Sequence, residues 1–321
     1  MITISDDLLR SLLPVREVGA HKWGVGGVLI VAGSPIYPGA AWIASRSAGR
    51  NGAGIVYLAT PRSVIGIMAA AMPEVAYVPL PDSDAPGAAN RAVARMHDAL
   101  AKVKALVIGP GLGDDDSTDY LLSAMFGLGD RAHRSLQGFG FGAESMETQH
   151  VDSIFDNFDG QIVLDADGLN WLAKQENWWE RIPPYRLVLT PHPGEAARLT
   201  GEDTQVFVAD PTAAAERLAR QWQQTVVIKS GFTAVSDGET TIVADQAPTS
   251  LATAGSGDCF AGAIGAYLAQ GCSPLDAATL AIGLGSRAAV ALEAIWGIGG
   301  VLASDLPDMM AQTTRQLITQ R

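Results

Sequence analysis

Short runs of branched apolar residues, each closed by Gly, Pro or Asp, alternate with stretches of helical spacing along this 321-residue chain. Residues 28–32 (VLIVA) run into Gly33-Ser34, an Ala-rich helix is predicted from about 39 to 51, and 55–59 (IVYLA) follow. Residues 105–108 lead into GPGLG, 162–164 into DADGLN, 187–189 into TPHPGE and 226–228 into KSG. Strands that are apolar at every position, with helices between them, predict a parallel sheet covered on both faces. Such sheets bind ligands beyond the carboxyl ends of their strands. Residues 109–113, 165–170, 190–195 and 229–233 all fall at such ends. Residues 233–236 and 240–243, joined through Asp237-Gly238, predict a hairpin at the edge of the sheet. Residues 79–90 read as a linker within the domain. Residues 114–159, with GFGFG at 138–142, read as an insertion: either a lid-like excursion or a plain surface loop. The whole chain, 1–321, is therefore expected to form one α/β domain.

Composition narrows the class. With 48% hydrophobic residues the chain can bury a large core. Its 35 glycines mostly follow apolar runs, as tight strand-to-helix turns require, and no long Gly/Ser or charged tract occurs. A formal charge of −12 argues against a nucleic-acid surface, so an anionic ligand would depend on local backbone amides or Mg²⁺. Cys259 and Cys272 are the only cysteines; they make no disulfide framework and no metal-ligand spacing, which points to a reducing compartment. The acidic start MITISDDLLRSLLP lacks the basic region of a signal peptide. No uninterrupted apolar stretch reaches spanning length. The expectation is a soluble, cytoplasmic protein with no membrane partner.

Residues 254–271, AGSGDCFAGAIGAYLAQG, carry the sharpest chemistry. Gly255, Ser256 and Gly257 can expose backbone N–H groups at the start of a helix, where the partial positive charge suits a phosphate in transfer. Asp258 on the same turn can take a proton from an attacking hydroxyl; it can equally be an ordinary capping Asp. Gly271 ends this helix, and Ser273-Pro274 with Asp276 reads as the capped start of the next. GPGLG at 109–113 allows close backbone approach to a ligand or simply a positive-φ turn; it is not the dinucleotide fingerprint, and no Walker lysine loop is present. Asp165 and Asp167 are placed to hold Mg²⁺ directly or through water, although Asp167 could cap the following helix, and Asn170 could ligate or cap. His192, between two prolines, can bond a polar substrate or be a surface turn residue. Lys229, straight after an apolar strand, would need an anionic partner if buried; with Thr233 it makes a nucleotide-phosphate site or else a surface lysine. Trp178, Trp179 and the helix near Met309 read as packing, and Cys259 as a small core residue.

Taken in order, His21-Lys22 with GVLIVAGS, YPGAA at 37–41, NGAGIVYLATP, IGPGLG, VLDADGLN, LTPHPGEAARLTG, VVIKSGFT, AGSGDCFAGAIGAYLAQG and GVLASDLPDMM resemble the ADP/ATP-dependent NAD(P)H-hydrate dehydratase family. The resemblance covers nearly the whole chain and implies the ribokinase-like fold, a three-layer α/β/α sandwich with a mostly parallel central sheet. It implies that ADP or ATP phosphorylates the ring hydroxyl of the S-epimer of hydrated NADH or NADPH (NADHX, NADPHX), after which phosphate leaves. Ala40 and Ala41 with Gly111 and Gly113 would line the hydrate site, His192 would contact the hydrate, and Asp258 would be the base. Lys229, Ser230, Gly231, Phe232, Thr233 and Gly257 would bind the nucleotide, with Gly255, Ser256 and Gly257 amides on the transferring phosphoryl group. The resemblance further implies a homo-oligomer, often a tetramer, and a separate epimerase, because no fused epimerase domain is expected. Trp23 and Ala254 stand where the family usually has Gly, and Lys229-Ser230-Gly231 replaces its Lys-Gly. A vitamin-precursor kinase of the same fold, or a non-catalytic nucleotide-binding module, would share part of these motifs.

Overall fold

The computed structural model describes residues 1–82, 86–128 and 153–319. Among them, ten strands form one sheet in the order β1-β10-β9-β8-β7-β6-β5-β2-β3-β4. These are β1 (Ile2–Thr3), β2 (Gly27–Val31), β3 (Ile55–Pro61), β4 (Ala76–Leu80), β5 (Ala105–Ile108), β6 (Gln161–Leu164), β7 (Leu187–Leu189), β8 (Thr225–Ile228), β9 (Ala234–Ser236) and β10 (Thr241–Val243). Only β9 runs against its neighbours, β8 and β10; every other pairing is parallel.

Register explains why the strands are apolar throughout. Ile30, Val107, Val163 and Val188 lie side by side across four strands. They face a core built with the helices Pro38–Arg50, Ser256–Ala269, Pro274–Trp296 and Leu306–Thr319. Val31, Ile108, Leu164, Leu189 and Val226 form a row pointing the other way. That row meets the helices Pro86–Leu100, Asp116–Phe126, Asp167–Leu172, Pro193–Thr200 and Pro211–Trp222. Successive residues of the central strands are thus buried against one helical layer or the other, the arrangement of a three-layer α/β/α sandwich. Pro274–Trp296 is long and apolar enough to cross a membrane; residues 277–286 are buried in the core, which accounts for that composition.

Several expectations shift at the edges. The hairpin β9–β10 forms, but Ile2–Thr3 pairs with β10 and takes the edge position from it. Residues 79–90 are not one linker: Ala76–Leu80 is a strand and a helix begins at Pro86. The segment 114–159 opens with a regular core helix, Asp116–Phe126, N-capped by Asp115, and closes after the short helix Ile154–Asn157. The glycines at 138, 140 and 142 lie outside the described residues. Trp178 is buried and its ring centroid is 5.1 Å from that of Trp222, and Cys259 is fully buried, both as expected of packing residues.

Candidate functional site

The row ending β2, β5, β6 and β7 brings their following loops to one level, and hydrogen bonds tie loop to loop. Gly33 N–H donates to Pro110 O at 2.8 Å, Gly113 N–H to Asp167 Oδ2 at 2.8 Å, and Lys229 N–H to Pro191 O at 2.9 Å. Gly109, at φ +123°, passes so close to β6 that a Cβ there would sit 1.8 Å from Asp165 O. That contact seats Asp165 at the centre of the site. Asp167, which the sequence left as a cap or a ligand, holds the GPGLG loop instead. Asn170 accepts from Arg198 Nε at 3.0 Å.

Asp165 and Asp167 diverge because Ala166 between them takes φ 49°, ψ −117°, a conformation that costs an L-residue strain. Asp165 Oδ1 accepts from Lys229 Nζ at 2.6 Å and from Thr190 Oγ1 at 2.7 Å. Lys229 therefore finds its anionic partner inside the protein. Burial works against its ammonium, but the Asp165 and Glu195 carboxylates outweigh that and raise its pKa. A Cβ at Gly257 would lie 3.2 Å from Lys229 Nζ and 3.5 Å from Asp165 Oδ2, so the pair abuts the glycine turn.

The helix Ser256–Ala269 is capped by Gly255 at φ 93°, with no side chain on its first amides. Asp258 is thus not a cap. Burial, together with the charge of Asp165, pushes its carboxyl up to about 7 despite the opposing pull of Lys229. A carboxylate balanced near neutrality at a helix N-terminus whose first amides no side chain occupies has the properties of a general base. Gly255 itself packs against Ile43 and Ala303.

Beside this turn opens a cavity of about 510 Å³ whose wall includes His192, Lys229, Ser230, Gly231, Thr233, Ser256 and Gly257. Phe232 lies outside that wall and is exposed. The same wall includes Gln246, Pro248, Leu251 and Phe260; the first three were invisible in the sequence, since the stretch after β10 carries no motif. Gly111 meets the helix Pro38–Arg50: a Cβ there would be 2.6 Å from Ala40 Cβ and 2.8 Å from Tyr37 O. Ala41 is wholly buried beneath Gly33, so it backs this surface without lining it. His192 caps the helix Pro193–Thr200 and shares a capping box with Glu195. Thr190 joins the site by folding alone, across 25 residues from Asp165, and Glu195 joins it through the capping box with His192, three residues away.

The NAD(P)H-hydrate dehydratase family model matches residues 28–127 and 123–312. The bifunctional NAD(P)H-hydrate repair enzyme Nnr of Salinibacter ruber is 34% identical over 317 residues, covering 97% of this chain and 52% of that protein. The ADP-dependent (S)-NAD(P)H-hydrate dehydratase of Xanthomonas campestris is 32% identical over 308 residues, covering 95% and 93%. The chain spans about half the length of the bifunctional relatives it matches. Among solved structures, the ADP/ATP-dependent NAD(P)H-hydrate dehydratase of Bacillus subtilis, co-crystallised with ATP/Mg²⁺, aligns with TM-score 0.74 and 24% identity, covering 98% of each chain. A ribokinase-like superfamily protein of Enterococcus faecalis aligns with TM-score 0.76 and 19% identity, covering 98% of this chain and 96% of that one. Both share this fold. From 28 to 312, by sequence and by architecture, the chain belongs to the NAD(P)H-hydrate dehydratase family.

Proposed function

We propose that the protein uses ADP or ATP to dehydrate the S-epimer of NADHX or NADPHX, restoring NADH or NADPH. The observation that carries this reading is Asp258: a carboxylate that caps no helix, raised to about 7, beside a glycine turn and the Lys229–Asp165 pair. In the reaction, Asp258 takes the proton of the ring hydroxyl. The hydroxyl oxygen bonds to the terminal phosphorus as its bond to the nucleotide breaks. Phosphate then leaves the ring with a neighbouring ring proton, and the double bond of the reduced nicotinamide returns. Gly255, Ser256 and Gly257 amides and Lys229 face the developing charge, the kind of fixed electrostatics on which phosphoryl transfer depends.

The nucleotide is placed in the cavity beside Lys229, Ser230, Gly231 and Thr233, and the hydrate over Ala40, Gly111 and Gly113. Mg²⁺ fits as a companion of the phosphates. Among the described residues no three His, Cys, Asp or Glu side chains converge as a cage, and phosphate-bound Mg²⁺ needs only one or two carboxylates. Asp165 Oδ2, the oxygen Lys229 and Thr190 leave aside, is the proposed contact. When bound, the ion would neutralise charge on the phosphoryl group. A cytoplasmic homotetramer completes the reading.

The test is product analysis with hydrated NADH, Mg²⁺ and either nucleotide. Reduced-nicotinamide absorbance returning with one free phosphate per turnover supports dehydration; a stable phosphorylated product would assign the site to a small-molecule kinase.

A further inference from the structure

Two helices hold the two halves of the candidate site. The helix Pro38–Arg50 carries Ala40 on the surface that Gly111 meets, and the helix Ser256–Ala269 carries Asp258 on its first turn. They touch backbone to backbone, for a Cβ at Gly262 would lie 2.1 Å from Ala44 O. The residues that Pro38–Arg50 buries are all small: Ala41, Ala44, Ser45, Ser47 and Ala48. The base stands close to this contact. A Cβ on Gly255 would be 2.7 Å from Ile43 Cδ1 and 3.8 Å from Asp258 Oδ2. Small apolar side chains draw two helices together without choosing one register among several; directional bonds choose.

Ser47 makes the directional bond nearest the base. Its hydroxyl donates to Cys259 O at 2.6 Å, on the residue after Asp258. It accepts from Asn51 Nδ2 at 3.3 Å and from Cys259 Sγ at 3.4 Å, so its one proton and both lone pairs are in use. Asn51 Nδ2 also donates to Ser47 O at 2.9 Å, and Asn51 Oδ1 accepts from Tyr267 OH at 3.0 Å. A backbone carbonyl can only accept, which fixes the orientation of the Asn51 amide. Donation therefore runs one way, from Tyr267 through Asn51 and Ser47 to Cys259 O, and all four residues are buried. No side chain caps the turn that this chain of bonds reaches, since Gly255 precedes it.

We propose that Ser47 is the positioning residue of Asp258: its bond to Cys259 O sets where the carboxylate stands relative to the surface of Ala40 and Gly111. A side chain on the far helix thus fixes the base, in place of a cap on its own turn. This inference rests on the proposed dehydratase reaction only for the identity of the hydroxyl that the base meets.

Ser47→Ala isolates that bond. Asn51 Nδ2 keeps the backbone oxygen of residue 47, the Cys259 thiol keeps Met310 Sδ at 3.7 Å, and alanine suits a helix interior. The kcat for nucleotide-dependent dehydration should fall about tenfold or more, as a displaced base requires. KM for the hydrate and nucleotide affinity should stay within about twofold, because the loss is felt in the transition state. Tyr267→Phe is the control. It leaves Asn51 Oδ1 buried without its donor but keeps the Ser47 bond, so it should lower the unfolding temperature further than Ser47→Ala while holding kcat within about twofold. A native kcat in Ser47→Ala, or a kcat that simply follows unfolding temperature in both variants, overturns the inference. Crystal structures of the native protein and Ser47→Ala test it without any turnover, the expected result being a shift of Asp258 relative to Ala40 of about 0.5 Å or more. Asp258 unmoved would overturn the positioning role, whereas a native protein that dehydrates nothing would overturn only the proposed reaction.

Discussion

Lys229 Nζ lies 2.6 Å from Asp165 Oδ1 where only 1% of the Asp165 side chain and 18% of the Lys229 side chain reach solvent. The pair joins the ends of β6 and β8 directly beneath the glycine turn that leads to Asp258. The contact ties the ends of these two strands together and sets the charge around Asp258.

Breaking the pair from either side leaves a buried charge without its partner. Asp165→Asn should cost about 3 kcal/mol in urea unfolding. Lys229→Met paired with Asp165→Leu should cost less than the sum of the single changes, because the two residues are coupled. Additive losses would mean that the two side chains contribute independently.

Asp258 links activity and stability through pH. Its folded pKa of about 7 lies above the ordinary value near ~3.9, so the folded protein binds the proton more tightly than the unfolded chain. The stability associated with that proton is complete below about pH 4 and is lost as pH rises through about 7. Asp258→Asn, always neutral there, should unfold at a higher temperature than the native protein at pH 8 and show no such gain at pH 4. The native dehydration rate should rise with pH across the same interval as the base ionises.

Ala166 offers a gain. At φ 49°, ψ −117° an alanine is strained where a glycine is not. Ala166→Gly should stabilise the fold by about 1 kcal/mol after the greater chain entropy of Gly is subtracted. A loss of stability in calorimetry would show that the backbone there is relaxed.

Gly111→Ala should separate the two halves of the site. Its new methyl would press on Ala40 and Tyr37, moving the helix Pro38–Arg50 from the GPGLG loop. KM for the hydrate should climb at least about tenfold, with nucleotide affinity unchanged by isothermal titration.

The sheet was legible because burial on both faces leaves a plain trace: GVLIV, ALVI, QIVL, LVL and TVVI are apolar almost without break. The loops after them could be read as ligand-facing for the same reason. The two-residue β1 carried too little pattern, and Pro79 disguised β4 as a linker. The partnerships within the site were hidden for a different reason. Thr190 meets Asp165 across 25 residues and Gly113 meets Asp167 across 54, distances that no local periodicity encodes. Ala166 was hidden because alanine gives no sign of a positive φ. Asp258 was read as base or cap, and only the conformation of Gly255 excluded the cap.

The central claim is that Asp258 removes the proton that starts nucleotide-dependent dehydration. The most direct measurement is single-turnover recovery of reduced nicotinamide from hydrated NADH with Mg²⁺ and ADP or ATP, comparing native protein with Asp258→Asn at equal nucleotide occupancy. The account predicts recovery in the native protein and a rate lower by about 10²-fold or more in the variant, with nucleotide still bound. Recovery at the native rate in Asp258→Asn would contradict it.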